Sequence, residues 1–451
     1  MQLTQQRKAA GTLFWLFLFI SPLLDLINGI RMYLLSGGSG GMLSSLDVVA
    51  LPRLGPSMVV RVLFLAAMLI WLLLNRDFRP LRVFIAIALS WAATLLTEHL
   101  GGAAVDYGSE IQYIVRFCYC LLVLITYTSL FRFTSSDAAQ KRRIDAILCA
   151  SQSLLALGVL LPFLFGIGFY TYADPLGYRG CRGFFYAGND ITAALLLLTP
   201  LTLAVWIDPE RTKSGALRRA ACAVNALSLC AMLLIGTKTS FLALGVTYAA
   251  FFLFGLIRMC RRRGGSVFLR VLAVVCIAAL ILLMMMLVGK LDPFETILGS
   301  LRGVQDYVDI VDIENGRGVE TILLSGRTAT LRSAWADFTA HLPLSALFGI
   351  GRGTQEHIIE MDLFEVLLYY GICGAVAMLW LYVKNGFALL RDLLHRISVR
   401  SLAGLVALIL GAGYMFAAGH VLFSVTAGFF FSFVMVYTRT FLCDDKRGEL
   451  S

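Results

Sequence analysis

Apolar residues along the chain are grouped in blocks of about 18 to 22 residues, separated by short polar segments. A helix of this length crosses the roughly 30 Å hydrocarbon core of a bilayer. The first block has no small-residue cleavage site at its end, so we interpret it as a spanning helix, not a signal peptide. The pattern predicts an all-α integral membrane protein with about 12 transmembrane helices, near residues 13–35, 57–74, 83–98, 111–131, 145–168, 190–207, 219–235, 240–257, 271–289, 363–383, 401–419 and 421–440.

Composition and charge agree with this pattern. An apolar share of 59% with only 15% charged residues excludes a soluble protein of 451 residues, which needs a polar surface. With the N-terminus inside, every predicted inner loop is basic, and these loops take 25 of the 38 Lys and Arg residues. This positive-inside pattern predicts that both termini are cytoplasmic. The formal net charge of +10 therefore reports topology, and we expect no nucleic-acid partner.

The cysteines and histidines do not point to a disulfide framework or a metal site. Most of the ten cysteines fall within predicted spans, and only Cys181 lies clearly in an outer loop. The five histidines include no close pair with metal-ligand spacing.

One long outer loop interrupts the series of short connections. We divide the chain into helices 1–9 within 1–289, an extracytoplasmic loop over 290–362, and helices 10–12 with a short cytoplasmic tail within 363–451. Long loops in compact proteins are usually functional. The loop contains an amphipathic helix that begins at Ser325, its expected N-cap, and carries Leu331, Ala334, Trp335 and Phe338 on one face. This helix either lies on the bilayer or packs on the bundle.

Charged residues within and above the spans are the candidate functional groups, because burying a charge is costly unless it pairs or works. Arg116 lies inside the fourth span, where it either pairs with a carboxylate or faces a polar cavity. Asp25 and Asn28 in the first span are a weaker signal of the same kind. Seven cations gather at the outer ends of a few spans, where they either bind lipid head groups or form an anion site: Arg179, Arg182, Lys238, Arg317, Arg327, Arg332 and Arg352.

Acidic residues follow these cations in the chain. Glu356, His357, Glu360 and Asp362 lead into the tenth span. The carboxylates either neutralise the cations or include a general base that takes a proton from an attacking hydroxyl. In the second case the cations would hold a diphosphate and stabilise it as it leaves.

Four segments, in order, resemble the O-antigen ligase and O-antigen polymerase superfamily of bacterial polysaccharide assembly. The first is Arg182-Gly-Phe-Phe with Asn189 before a span, and the second is Gly236-Thr-Lys-Thr-Ser240. The third is Ser325-Gly-Arg327 with a Trp-bearing helix and Leu347-Phe-Gly-Ile-Gly351. The fourth is Glu360-Met-Asp362 with the segment from Leu367 to Gly374. Together they cover roughly residues 180 to 380.

The resemblance implies a membrane fold of the glycosyltransferase C type in the bacterial cytoplasmic (inner) membrane. Such proteins transfer a glycan from an undecaprenyl-diphosphate-linked donor to a hydroxyl of a glycan or glycolipid acceptor, without a nucleotide sugar, a cofactor or a metal. Arg182 and Arg327 would bind the diphosphate, with Asn189, Lys238, Arg332 and Arg352 as further substrate-binding residues. Membrane lipids are the remaining expected partners.

The chain departs from the family pattern at two positions. Lys238 stands where ligases usually carry arginine, which keeps the charge but loses a bidentate phosphate contact. Glu360 stands where ligases carry a histidine, and His357 is three residues out of register. Glu360 is therefore the first candidate for the catalytic base and Asp362 the second. These departures favour a polymerase, or a ligase for another surface glycan, over a lipopolysaccharide ligase.

Two other classes of function remain as alternatives. A flippase of lipid-linked oligosaccharide would be expected to show two similar halves with charges near the midplane of both, and the sequence shows no repeat. A receptor or sensor would be expected to carry a recognisable soluble signalling domain, and the segment after Phe441 is far too short for one.

Overall fold

A computed structural model of the chain describes residues 2–38, 41–43, 55–134, 138–172, 179–208, 212–260, 327–355, 358–395, 398–419 and 421–447, with scattered positions between 269 and 279. Its helices are α1 (Gln2–Leu35), α2 (Pro56–Leu74), α3 (Arg79–Leu100), α4 (Tyr107–Thr134), α5 (Ala138–Leu164), α6 (Gly188–Ile207), α7 (Gly215–Ile235), α8 (Lys238–Cys260), α9 (Arg327–Ala340), α10 (Leu344–Phe348), α11 (Asp362–His395), α12 (Val399–Ala417) and α13 (Ala427–Arg447). Three strands are β1 (Met42–Leu43), β2 (Gly168–Tyr172) and β3 (Arg179–Gly183).

The all-α membrane fold expected from the apolar blocks is confirmed. Ten helices of the described part of the chain are long and apolar enough to cross a membrane, namely α1 to α8, α11 and α12. The predicted ninth span, 271–289, lies largely outside the described residues. The predicted last span, 421–440, corresponds to α13, which starts only at Ala427 because residues 421–426 form a turn.

Helix α6 lies at the centre of the bundle. It packs against α5, α7, α12 and α13, and almost every side chain from Ile191 to Val205 is buried. A helix that is apolar on all sides is stable only when other helices surround it. Helices α2 and α3 lie at the periphery and expose leucines such as Leu63 and Leu89, which we assign to the lipid.

The structure contains a three-stranded sheet that the hydrophobic pattern did not predict. Strands β2 and β3 connect α5 to α6, and β1 follows α1. Strand β2 pairs parallel with β1 and antiparallel with β3, with Tyr172 opposite Arg179 and Tyr170 opposite Cys181. Gly183 has a φ of 60°, and a side chain there would collide with the carbonyl oxygen of Gly158 in α5. The glycine thus lets β3 lie directly on the bundle. We call this end of the bundle the sheet face.

The opposite end of the bundle is held together by a buried arginine. Arg400, in the first turn of α12, donates from both terminal nitrogens to the carboxylate of Asp145 in α5, at 2.9 and 2.7 Å. It also donates to the Thr212 hydroxyl at 3.1 Å and to the Tyr437 hydroxyl of α13. The Tyr437 hydroxyl in turn donates to Asp145 at 2.6 Å. This network joins α5, α12 and α13 through groups that are all removed from solvent.

We expect Arg400→Met to destabilise the folded protein by about 3–5 kcal/mol, because it leaves the Asp145 carboxylate buried without its partner. Thermal unfolding of the purified protein in lipid nanodiscs measures this loss. The double variant Arg400→Met/Asp145→Leu should recover part of it, since no buried charge is then left alone.

The matched control is Arg439→Ala. Arg439 is exposed and donates to Asn385 at 2.9 Å, so its loss should change the stability by no more than about 0.5 kcal/mol. Equal stability of Arg400→Met and the wild type would contradict a structural role for the network.

Candidate active site

A polar cavity of about 100 Å³ opens at the sheet face, between the first turns of α4 and the segment that leads into α11. Carboxylates and guanidinium groups share it, which is unusual so close to membrane-spanning helices. Its lining residues are Ser109, Gln112, Tyr113, Arg116, Arg352, Ile358, Glu360, Asp362, Glu365 and Phe423. We call it the Glu360 cavity.

Glu360 forms an ion pair with Arg327, the first residue of α9. Both Nη2 and Nε of Arg327 reach the same oxygen, Oε2 of Glu360, at 3.0 and 3.1 Å. The Glu360 side chain is 42% exposed, whereas that of Arg327 is 15% exposed. The second oxygen of Glu360 is therefore not needed for this ion pair, and the carboxylate stays accessible from the cavity.

The backbone of Glu360 is held in an uncommon conformation. Its φ is 60°, in the left-handed region that side chains other than glycine rarely adopt. The Glu360 N–H donates to Oε1 of Glu365 at 2.7 Å, and the Glu360 carbonyl lies against Gly419, where a side chain would collide with it. Such strain persists only where surrounding contacts over-determine it, and it is concentrated at functional sites.

The other two carboxylates of the cavity are occupied by structural hydrogen bonds. Oδ2 of Asp362 accepts the backbone N–H groups of Val421 and Leu422, each at 2.8 Å, and the residue is only 1% exposed. Glu365 accepts from the Tyr113 hydroxyl as well as from the Glu360 N–H. Glu360 is therefore the more accessible of the two candidate bases, whereas the Asp362 carboxylate holds the turn before α13.

Two guanidinium groups face the cavity from different elements. Arg116 is exposed on the cavity side of α4, and within the described part of the chain no hydrogen bond or ion pair is recorded for it. Of the two environments expected for Arg116, the structure shows the polar cavity. Arg352 is half-buried, and its Nη1 donates to the Gln355 carbonyl at 2.6 Å. Each guanidinium can bind an anion through charge-assisted hydrogen bonds.

Arg352 is positioned by the glycine-rich segment 349–353. Gly349 and Gly351 have φ values of 80° and 64°, and the Gly351 N–H donates to the Tyr369 carbonyl at 2.9 Å. The Gly353 N–H donates to Oε1 of Glu110 in α4 at 2.7 Å. Glu110 thus holds the glycine-rich segment and does not pair with Arg116, although both lie on α4.

Lys238 lies close to Arg327, and Asn189 is linked to the same region through Tyr414. Lys238, at the start of α8, is close enough to Arg327 for the two cations to repel each other. Asn189 accepts from the Tyr414 hydroxyl through its carbonyl at 3.2 Å and its side-chain oxygen at 3.4 Å. Tyr172 of β2 also lies near Arg327, and burial raises the pKa of Tyr172 above its ordinary value. The structure therefore brings two of the predicted substrate-binding residues, Lys238 and Arg327, together, with Asn189 one residue removed from Arg327 through Tyr414.

Arg182 occupies a separate niche on β3. Its guanidinium lies over the rings of Phe169 and Tyr186, at 5.6 and 5.7 Å from their centroids. The residue is 7% exposed, and its Nε and Nη2 have no hydrogen-bond partner among the described residues. Burial lowers the pKa of Arg182. No contact between Arg182 and Arg327 is recorded in the described part of the chain.

The remaining predicted residues lie apart from the cavity or outside the described residues. Arg332 is exposed on α9 and does not belong to the residues that line the cavity in the described structure. Arg317, Ser325, Glu356, His357 and the Arg179 side chain are outside the described residues. Tyr113 and Glu365 are site residues that sequence reasoning missed, because nothing in their spacing distinguishes them from other polar groups at helix ends.

The kink in α11 sets the position of the whole glycine-rich segment. Gly371 has φ 64° and ψ −170°, a conformation that is almost confined to glycine, and a side chain there would collide with the backbone of Leu347. We expect Gly371→Ala to destabilise the folded protein by about 1–3 kcal/mol. Unfolding in nanodiscs measures it.

The control for this change is Gly245→Ala in α8, where no described atom lies within 4 Å of the added methyl group. It should be neutral or stabilise by up to about 1 kcal/mol, as alanine does in helix interiors. Similar stabilities of the two variants would show that the kink does not need glycine.

Comparison with known proteins agrees with the resemblance found in the sequence. No curated protein matches the chain. A match to the family described as O-antigen ligase like membrane protein covers residues 8–299 and 307–442, which is nearly the whole chain. The chain therefore belongs to the O-antigen ligase-like membrane protein family, which indicates a glycosyltransferase-like role in polysaccharide assembly.

Proposed function

We propose that the protein is a membrane glycosyltransferase that polymerises or ligates a surface polysaccharide. Its donor would be an undecaprenyl-diphosphate-linked glycan and its acceptor a hydroxyl of a glycan or glycolipid. The observation that carries the proposal is the accessible Glu360 carboxylate, paired with Arg327 at 3.0 Å on the edge of a cavity that also contains Arg116 and Arg352. A base beside several guanidinium groups suits the displacement of a diphosphate by a hydroxyl.

In the proposed reaction, Glu360 takes the proton of the acceptor hydroxyl. The hydroxyl oxygen attacks the anomeric carbon of the donor sugar as the bond between that carbon and the phosphate oxygen breaks. The electron pair of this bond leaves with the lipid diphosphate, and nearby guanidinium groups stabilise the added negative charge. The glycosidic bond is then complete, and Glu360 returns its proton to solvent or to the diphosphate.

The Arg327–Glu360 ion pair gives this reaction an order of events. While Arg327 is bound to Glu360, it stabilises the charged carboxylate and makes it a weaker base. A diphosphate arriving near Arg327 and Lys238 competes for the same guanidinium. Donor binding thereby frees Glu360 to accept a proton only when a leaving group is in place.

Arg116 and Arg352 would share the diphosphate from the cavity side, with Arg182 and Asn189 contributing from the sheet side. The sheet face then corresponds to the extracytoplasmic side of the bacterial inner membrane, and both termini are cytoplasmic. Support comes from the basic inner loops of the sequence and from the position of all these groups at one end of the bundle.

The proposal is tested in the native host with the gene deleted and replaced by wild type, Arg327→Ala or Glu360→Gln. Both variants should insert normally, lack surface polymer and accumulate lipid-linked repeat units on the outer leaflet. The control is Arg219→Ala, an exposed arginine of α7, which should restore polymer fully. If Glu360→Gln still makes polymer, Glu360 is not the catalytic base. Lipid-linked units that accumulate on the cytoplasmic leaflet would instead indicate a flippase.

A second prediction concerns Arg116. With purified protein and a lipid-linked donor, Arg116→Gln should lower kcat/KM by at least about tenfold, since a charge-assisted bond to phosphate contributes at least 1.4 kcal/mol or so. Arg116→Lys should recover part of the loss because it keeps the charge. If Arg116→Gln and the wild type have the same donor dependence, Arg116 does not bind the diphosphate.

A further inference from the structure

A second cavity, of about 470 Å³, shares the segment 349–355 as a wall with the Glu360 cavity. Arg352 lines the Glu360 cavity, whereas Thr354 and Gln355 line the second one. Its other walls are the end of α3 and the helices α9 and α10. Its lining includes the polar residues Glu98, Asp337, His341 and Gln355 and the leucines Leu100, Leu342 and Leu344.

Some polar groups of this cavity are acceptors for which the described residues supply no hydrogen-bond donor. Glu98 is 6% exposed, and neither of its carboxylate oxygens has a hydrogen-bond partner among the described residues. No partner is recorded in the described structure for the Asp337 carboxylate or for the side-chain oxygen of Gln355, whose nitrogen donates to Thr354. A buried acceptor without a donor, as Glu98 is, is costly, and a ligand bound in the cavity could supply the missing donor.

The rim of the cavity is apolar and turned outward. Leu100 is 78% exposed, and Leu342 and Leu344 are 53% and 55% exposed. Leu100 is the last residue of α3, a candidate spanning helix that also exposes Leu89 and Leu96. The three rim leucines therefore continue the lipid-facing surface of α3 up to the mouth of the cavity.

We propose that the second cavity binds an amphiphile whose head group is an uncharged sugar. Sugar hydroxyls donate to Glu98, Asp337 and Gln355, and the alkyl chain lies on the three rim leucines. Phosphate is the poorer ligand here, because no lysine or arginine lines this cavity, whereas Arg116 and Arg352 line the Glu360 cavity. The occupant is thus an acceptor glycolipid, an assignment that rests on the proposed function, and the diphosphate donor occupies the arginine-lined cavity.

The two cavities are placed for transfer between their occupants. Nη1 of Arg352 donates to the carbonyl of Gln355. A residue of the Glu360 cavity is thus hydrogen-bonded to a residue of the second cavity. The segment 349–355 contributes residues to both cavities. A sugar chain anchored in the second cavity can extend past this segment and present a hydroxyl to Glu360.

Photolabelling tests the proposal with full-length protein in nanodiscs. The probes are dodecyl maltoside and dodecyl phosphate, each with a diazirine at the same position of the alkyl chain. Dodecyl maltoside should label the peptides that contain Leu100, Leu342 and Leu344, and dodecyl phosphate should label them at least about tenfold less, as expected for the loss of one good hydrogen bond.

Variants of the two cavities separate the alternatives. Glu98→Gln should lower maltoside labelling severalfold, whereas Glu360→Gln, the same change in the neighbouring cavity, should leave it unchanged. Asp337→Lys, at an exposed position of α9, should shift the preference towards dodecyl phosphate even if Glu98→Gln fails to fold. Equal labelling by both probes, or maltoside labelling that ignores both Glu98→Gln and Asp337→Lys, would overturn the proposal. Failure of the transferase reaction would appear in polymer synthesis and not in this labelling.

Discussion

The packing of the sheet face depends on the hydrogen bonds that the Glu110 carboxylate accepts. This carboxylate accepts from the Gly353 N–H at 2.7 Å, from the Trp91 indole at 3.1 Å and from the Tyr370 hydroxyl at 3.3 Å. These bonds tie α3, α4, the glycine-rich segment and the first part of α11 together at one point. Because the segment 349–355 lies between the two cavities, the same carboxylate sets the position of Arg352 and keeps the Glu360 cavity, with its two arginines, apart from the second cavity.

Charges inside the bundle divide into those that hold it together and those left for a substrate. Arg61 of α2 pairs with Asp25 of α1, and Thr426 donates to the same aspartate. Arg400 is likewise satisfied by Asp145 and its neighbours. Arg116 differs, because it faces a cavity and no hydrogen bond or ion pair of its guanidinium is recorded in the described structure, although the charge of Asp190 attracts it. A charge in a membrane-spanning helix that no ion pair satisfies is costly, which is why this difference points to function.

Much of this organisation follows from the sequence, and the rest depends on contacts between distant segments. Block length and basic loops predicted the spans, and the departure from the family pattern singled out Glu360, whose catalytic role stays a prediction. The kink at Gly371 and the sheet were not predicted, because a glycine in the sequence shows that unusual backbone angles are allowed but not which angles the chain adopts. Asp362 and Glu360 are two residues apart and equally acidic in sequence. Only their neighbours, the Val421 and Leu422 N–H groups for one and Arg327 for the other, distinguish them.

The central claim is that the diphosphate of the donor binds beside Glu360 and releases it from Arg327. A cryo-EM structure of the protein in nanodiscs with a non-hydrolysable lipid-diphosphate donor analogue tests it most directly. The account predicts phosphate density in contact with Arg116, Arg352 and Arg327, with the Glu360 carboxylate no longer within hydrogen-bond distance of Arg327. Diphosphate density at the opposite end of the bundle, or an unchanged Arg327–Glu360 pair beneath a donor bound elsewhere, would contradict it.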